Sequence, residues 1–179
     1  ILAVLYRSGK GGYAASAGAH RGRPDRCAEA IRLGRLLADL MPDEPEVTGL
    51  LALMLLTEAR RPARTGPGGE IVLLADQDRS RWDAELVADG QALVRRCLRR
   101  NAPGSYQIQA AIAAVHSDAP DAPSTDWGQI VQLYDQLTAF DRGPVVALNR
   151  AVAVAELDGP GAGLALVDGL AADLDRYHV

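Results

Sequence analysis

The chain has 179 residues, a mass of 19.0 kDa, a formal charge of −4 and a pI near 5.3. That length suits one domain with a sizeable core, and 48% apolar with 23% charged residues excludes a disordered or low-complexity chain. The acidic balance argues against the chain as a whole binding nucleic acid, because such domains are basic on at least one face.

Aromatics are only 4%, and Ala, Leu and Val dominate the apolar content, which favours closely packed helices. The longest apolar run, residues 50–56, falls far short of the ~20 residues of a membrane span. Residues 1–10 carry no cleavage-type signal. Cys27 and Cys97 are too far apart in sequence to imply a disulfide framework or a zinc motif. A reduced, cytoplasmic setting is expected. Lys10 is the sole lysine beside eighteen arginines, a skew that fits a GC-rich coding sequence.

In chain order, residues 1–6 read as the end of a helix and 8–23 as a small-residue loop. Pro24 and Asp25 open a helix with Cys27, Ala30, Ile31, Gly34, Leu37, Ala38 and Met41 at helical spacing. Leu33, Leu36 and Leu40 widen that stripe and predict cover on two sides. Pro45 at a first turn opens a helix over about 46–60, apolar all round and therefore central. Residues 62–70 break the pattern, and 71–74 read as a short extended piece. Ser80 to Asp83 matches a capping box and predicts a helix to Arg100, stopped by residues 101–104. Helices follow over 105–116, with Ile108, Ala111, Ile112 and Val115 on one face, and over 126–140, with Trp127, Ile130, Val131, Tyr134 and Leu137 inward. The last two run over 144–157 and from Pro160 to about 177. The fold class is all-α, with about eight helices in antiparallel pairs.

Helix starts at Asp126, Pro144 and Pro160 give a 34-residue step, the tetratricopeptide length. Tetratricopeptide-like solenoid packing is expected in the C-terminal third, with 1–104 and 105–179 as two halves of a single domain. Each repeat needs a neighbour to bury its outer face. The chain is expected to be cut at both ends.

Enzyme signatures are missing: there is no nucleophile elbow, zinc-binding helix motif or phosphate loop, so neither catalytic residues, metal nor cofactor is expected. His116 reads as a helix-end histidine facing the last carbonyls. The densest polar cluster spans residues 76–83. Asp76 and Asp78 could meet a basic partner or, with Asp83, a hard cation. A local reading is favoured, with Ser80 capping the helix, Arg79 and Arg81 pairing with acids and Trp82 anchoring the loop. Arg60, Arg61 and Arg64 form a basic turn expected to pair with Asp76 or Asp78. Arg95, Arg96, Arg99 and Arg100 read as a solvated helix terminus.

Several runs then occur in a characteristic order: Tyr13-Ala-Ala-Ser16, Cys27-Ala-Glu-Ala-Ile-Arg-Leu33, the apolar 50–56 run, Ala59-Arg-Arg-Pro-Ala-Arg64, Asp76-Gln-Asp-Arg-Ser-Arg-Trp-Asp83, the 106–116 helix, Thr125-Asp-Trp127 and the 144–154 helix. In this the chain resembles, over essentially its whole length, the C-terminal extension of a subgroup of extracytoplasmic-function RNA polymerase sigma factors. The resemblance implies a regulatory domain with no membrane role. Core polymerase and promoter DNA would be contacted through N-terminal regions outside this chain. The domain itself would contact the sigma domains or a peptide or protein partner. Expected contact residues are Arg60, Arg61, Asp76, Asp78, Arg79, Trp82, Asn149 and Arg150. One departure is Arg7-Ser-Gly-Lys-Gly11, where the family has an apolar and acidic entry. The alternative expectation is a stand-alone interaction scaffold unconnected with transcription.

Overall fold

The computed structural model describes residues 26–174, and within them every regular element is a helix. There are seven α-helices: α1 (Arg26–Leu40), α2 (Pro45–Ala59), α3 (Ala84–Arg100), α4 (Ser105–Asp118), α5 (Trp127–Leu137), α6 (Pro144–Asp158) and α7 (Pro160–Leu174). The expected helix over 1–6, the loop over 8–23 and the last residues of the final helix lie outside the described residues. Residues 71–74 form no strand. Ile71 makes an isolated antiparallel bridge to Thr65, and a short 3-10 turn, Leu74–Asp76, follows.

Helix α2 is the hub, packing against α1, α3 and α4. Its apolar circumference explains this: Leu51, Ala52, Met54, Leu55, Leu56 and Ala59 are all buried. Close approach depends on small residues. A Cβ built on Gly49 would lie 2.7 Å from the Gln107 backbone nitrogen, so α2 and α4 touch through bare backbone there. The two helices run parallel. Glu46, in the first turn of α2, accepts from Tyr106 N and Gln107 N in the first turn of α4, while Arg60 and His116 meet at the opposite ends. Helix α3 runs back against both, with Asp83 N donating to Ala59 O at one end of α2 and Gln91 Nε2 reaching Asp118 at the end of α4.

The C-terminal helices follow one another antiparallel. Ile108, Ile112 and Val115 of α4 share a core with Ile130 and Leu137 of α5 and Val146 and Ala153 of α6. Only Gly159 separates α6 from α7, and its φ of 96° supplies the reversal that a side chain would resist. The helices start at residues 127, 144 and 160, one residue short of the expected 34-residue step because Asp126 is the N-cap of α5 and lies outside the helix.

Three expectations need correction. The start of α3 is capped by Asp83, whose carboxylate accepts from Glu85 N and Leu86 N, and not by Ser80. Ser80 instead lies in a 3-10 turn, Arg79–Arg81, capped by Asp78. Helix α1 is covered on one side only: Leu36, Leu40 and Met41 are exposed because α2 is its sole major contact among the described residues. The arginines of α3 are not all solvated, since Arg96 donates to Pro42 O and Arg100 pairs with Asp43, pinning the α1–α2 turn.

Candidate functional site

Helices α2, α4 and α6, with the end of α5, line a cavity of about 500 Å³ that is open to solvent along one side. Leu50, Leu53, Thr57 and Arg60 present one face of α2 to it, and Tyr106, Gln109, Ile112 and His116 one face of α4. Both sets recur at three- and four-residue spacing, the signature of a single helix face. Val145 and Asn149 of α6, with Tyr134 and Asp141, complete the wall. A smaller cavity of about 260 Å³ adjoins it, sharing His116, Leu74, Tyr134 and Asn149 and adding Arg79 and Glu156.

The segment 60–83 lies beside the Arg60 and His116 end of the cavity, and Arg60 and Leu74 are its lining residues there. Trp82 is 8% exposed and has two guanidiniums within cation–π distance, Arg60 at 5.9 Å and Arg79 at 5.2 Å from the ring centroid. Arg79 reaches from this loop to the α4–α5 connection. It donates to His116 O at 2.6 Å, Ala119 O at 2.8 Å and Thr125 Oγ1 at 3.0 Å. Burial lowers its pKa, and the field of Asp121 opposes that shift. The expected Arg79–acid pair is therefore replaced by a clamp on backbone carbonyls. The carbonyls at the end of a helix have no intrahelical donors, and a planar guanidinium can satisfy several at once.

His116 is 9% exposed and packs edge-on against Trp127, ring centroids 5.3 Å apart. Burial, then the charges of Arg60 and Arg79, lower its pKa to about 4. A neutral imidazole cannot offset a helix dipole, so the helix-end role expected from the sequence is corrected. Its Nδ1 is buried without a hydrogen-bond partner, as is the indole nitrogen of Trp82.

The structure thus brings Arg60, Arg79 and Asn149 to the cavities, sets Trp82 behind the two arginines, and leaves the other expected contact residues apart. Arg61 pairs with Glu58 at 2.8 Å, and Arg64 donates to Thr57 O, so neither reaches Asp76 or Asp78 as expected. Asp76 is exposed. Asp78 accepts from the hydroxyl and backbone N–H of Ser80, which lower its pKa. Arg150 pairs with Asp135 of α5 at 2.6 Å. Sequence reasoning missed Glu46 and Gln109, and gave His116 only a helix-end role. Gln109, Ile112 and His116 share one face at helical spacing, a readable signal. The partners of Glu46 lie sixty residues away in sequence and leave no local trace. No group of three or more His, Cys, Asp or Glu side chains among the described residues is placed to hold a metal ion.

The fold and the cavity define a class: an all-helical protein of antiparallel helix pairs with a long groove. Residues 1–98 match the family described as "Family of unknown function (DUF6596)", and the chain belongs to that family. It is 45% identical over 177 residues to "Uncharacterized protein R00370" of Rhizobium meliloti (strain 1021). That alignment covers 99% of this chain and 42% of the relative, so the chain spans less than half the relative's length. No solved structure matches. None of the helices among the described residues is long and apolar enough to cross a membrane.

Proposed function

We propose that this chain is the regulatory, protein-interaction domain of an RNA polymerase sigma factor acting in bacterial transcription initiation, and that it is not an enzyme. In this reading the polymerase-binding and promoter-reading regions lie outside these 179 residues, and the domain works in the cytoplasm. The observation that carries the interaction role is the groove bounded by α2, α4 and α6, with buried polar groups at one end. Stacked helix pairs form binding surfaces of this kind. The transcriptional assignment is supported by the ordered runs quoted above, above all residues 76–83. A relative more than twice as long leaves room for further regions.

The test is to express the whole reading frame that contains this chain and ask whether the product co-purifies with core RNA polymerase and supports transcription from its own promoter. Reversing charge at Asp76 and Asp78 should lower that transcription while leaving polymerase binding intact. A product that neither binds core polymerase nor contains a helix-turn-helix pattern upstream of Ile1 would leave the alternative, a scaffold unconnected with transcription.

A further inference from the structure

Arg95, Arg96, Arg99 and Arg100 fill the last two turns of α3, and no acid stands among residues 90–100. They form two i,i+4 pairs, and like charges at that spacing repel. The fold uses one pair and leaves the other. Arg96 donates to Pro42 O and Arg100 pairs with Asp43. Arg95 and Arg99 are exposed and have no hydrogen bond or ion pair among the described residues. Nor are they needed to close the helix: Asn101, in the left-handed region at φ 48°, donates its N–H to Leu98 O.

Beside this pair, the end of α3 leaves a notch of about 160 Å³ against α4 and α5. Val94 and Leu98 of α3, Ile108 and Ala111 of α4, and Leu133 and Gln136 of α5 line it, and none of its lining residues is acidic. Leu98 is 67% exposed. A lone exposed leucine is ordinary, but this one lines a hollow, one helical turn after Arg95 and one residue before Arg99. The apolar wall and the unpaired charges are therefore neighbours. An apolar hollow of about 150 Å³ is large enough for a benzene-sized group.

From this we infer that the end of α3 docks an acidic peptide segment whose carboxylates pair with Arg95 and Arg99 and whose one bulky side chain, the size of phenylalanine, enters the notch. This deepens the reading of the chain as an interaction domain and rests on it. Carboxylates there relieve the repulsion between two guanidiniums one turn apart. The apolar side chain leaves water for contact with Val94, Ile108 and Leu133. A basic segment would add to the repulsion. A nucleic-acid strand would meet the charges, but the notch offers no aromatic side chain on which a base could stack.

The test uses the 179-residue chain with three rhodamine-labelled pentapeptides, Glu-Glu-Phe-Glu-Glu, Glu-Glu-Ala-Glu-Glu and Lys-Lys-Phe-Lys-Lys, followed by fluorescence anisotropy. The first should bind about ten-fold or more tightly than either of the others, the scale of burying one phenylalanine side chain for the second and of two charged contacts for the third. Arg95→Glu combined with Arg99→Glu should reverse the charge preference. Arg95→Gln combined with Arg99→Gln covers the case in which that variant fails to fold. It removes the mutual repulsion, so its Tm should not fall, while its affinity for the first peptide should drop about three-fold or more. In NMR the methyl signals of Leu98 and Leu133 should shift on addition of the first peptide. Equal affinity for the three peptides, no binding of any, binding that leaves Leu98 and Leu133 unmoved, or a lower Tm in the double glutamine variant would each overturn the inference. Tighter binding of a short oligothymidylate than of the first peptide would overturn it in favour of nucleic acid. Core-polymerase binding by the full reading frame is read separately, so failure here and failure of the transcriptional reading are distinguishable.

Discussion

Replacing Arg79 by alanine is the most incisive single perturbation, because one side chain joins two distant segments. The guanidinium donates to His116 O, Ala119 O and Thr125 Oγ1, and lies 5.2 Å from the Trp82 ring centroid. A hydrogen bond from a charged donor contributes about 1.5–3 kcal/mol, and a cation–π contact about 0.5–1 kcal/mol. Carbonyls at the helix end can turn to water once the clamp is gone, so the bonds do not add in full. A net loss of about 3 kcal/mol is expected, which for a domain of this size lowers Tm by about 6–12 °C. Thermal unfolding followed by helical circular dichroism measures it. Arg79→Lys is the informative control. It keeps the charge, but a point ammonium cannot hold three divergent acceptors as a planar fork does, so it should recover less than half of the loss. A lysine variant as stable as the parent would show that charge alone matters. An alanine variant within 2 °C or so of the parent would refute the clamp.

Gly49→Ala places a methyl group 2.7 Å from Gln107 N, a backbone atom that cannot swing aside, so α2 and α4 must separate at a cost of about 1–3 kcal/mol, measured by urea unfolding. Asp83→Ala should cost about 1 kcal/mol through loss of the α3 cap, whereas Ser80→Ala, outside that cap, should stay within about 0.5 kcal/mol. His116 titrates near 4 in the fold and near 6.5 when unfolded, so the unfolded chain binds the extra proton between those values. Its contribution is present above pH 6.5 and is lost as pH falls toward 4, by about 3 kcal/mol over that window. His116→Phe should flatten that part of the stability–pH curve, and an unchanged slope would assign it to other groups.

What the sequence revealed and what it hid divide by range. The apolar circumference of residues 50–56 was enough to place α2 at the centre, because no orientation of such a helix leaves it half in water. Pro45, Pro144 and Pro160 marked helix starts correctly, since a missing N–H costs nothing at a first turn. The cap was misassigned because Ser80 and Asp83 both suit an N-cap, and only the intervening 3-10 turn decides between them. Arg61 and Arg64 were expected to cross to the acidic loop, yet Glu58 and Thr57 O lie within a helical turn or two and cost less chain ordering to reach. Arg79, Glu46 and His116 were misread or missed for a common reason: their partners are set by tertiary packing across 37 or more residues.

The segment 76–83, the run that most distinguishes this sequence, is tied down by its own side chains even though Asp76, Asp78, Ser80, Arg81 and Asp83 are exposed. Asp78 holds Ser80, Asp83 starts α3, Arg79 clamps the α4–α5 connection and Trp82 is buried beside Arg60 and Arg79. These residues act on the groove by fixing its end, while Arg60 and Asn149 line it. The two groups should therefore separate experimentally. Substitutions at Arg79, Trp82 or Asp83 should lower stability and the transcription supported by the whole reading frame in proportion, since partner binding falls with the folded fraction. Substitutions at Asn149, exposed on α6, should weaken that transcription with Tm changed by no more than about 2 °C. If Trp82→Phe weakened transcription while leaving Tm unchanged, the loop would be a contact surface in its own right, and its buried geometry would have to open when a partner arrives.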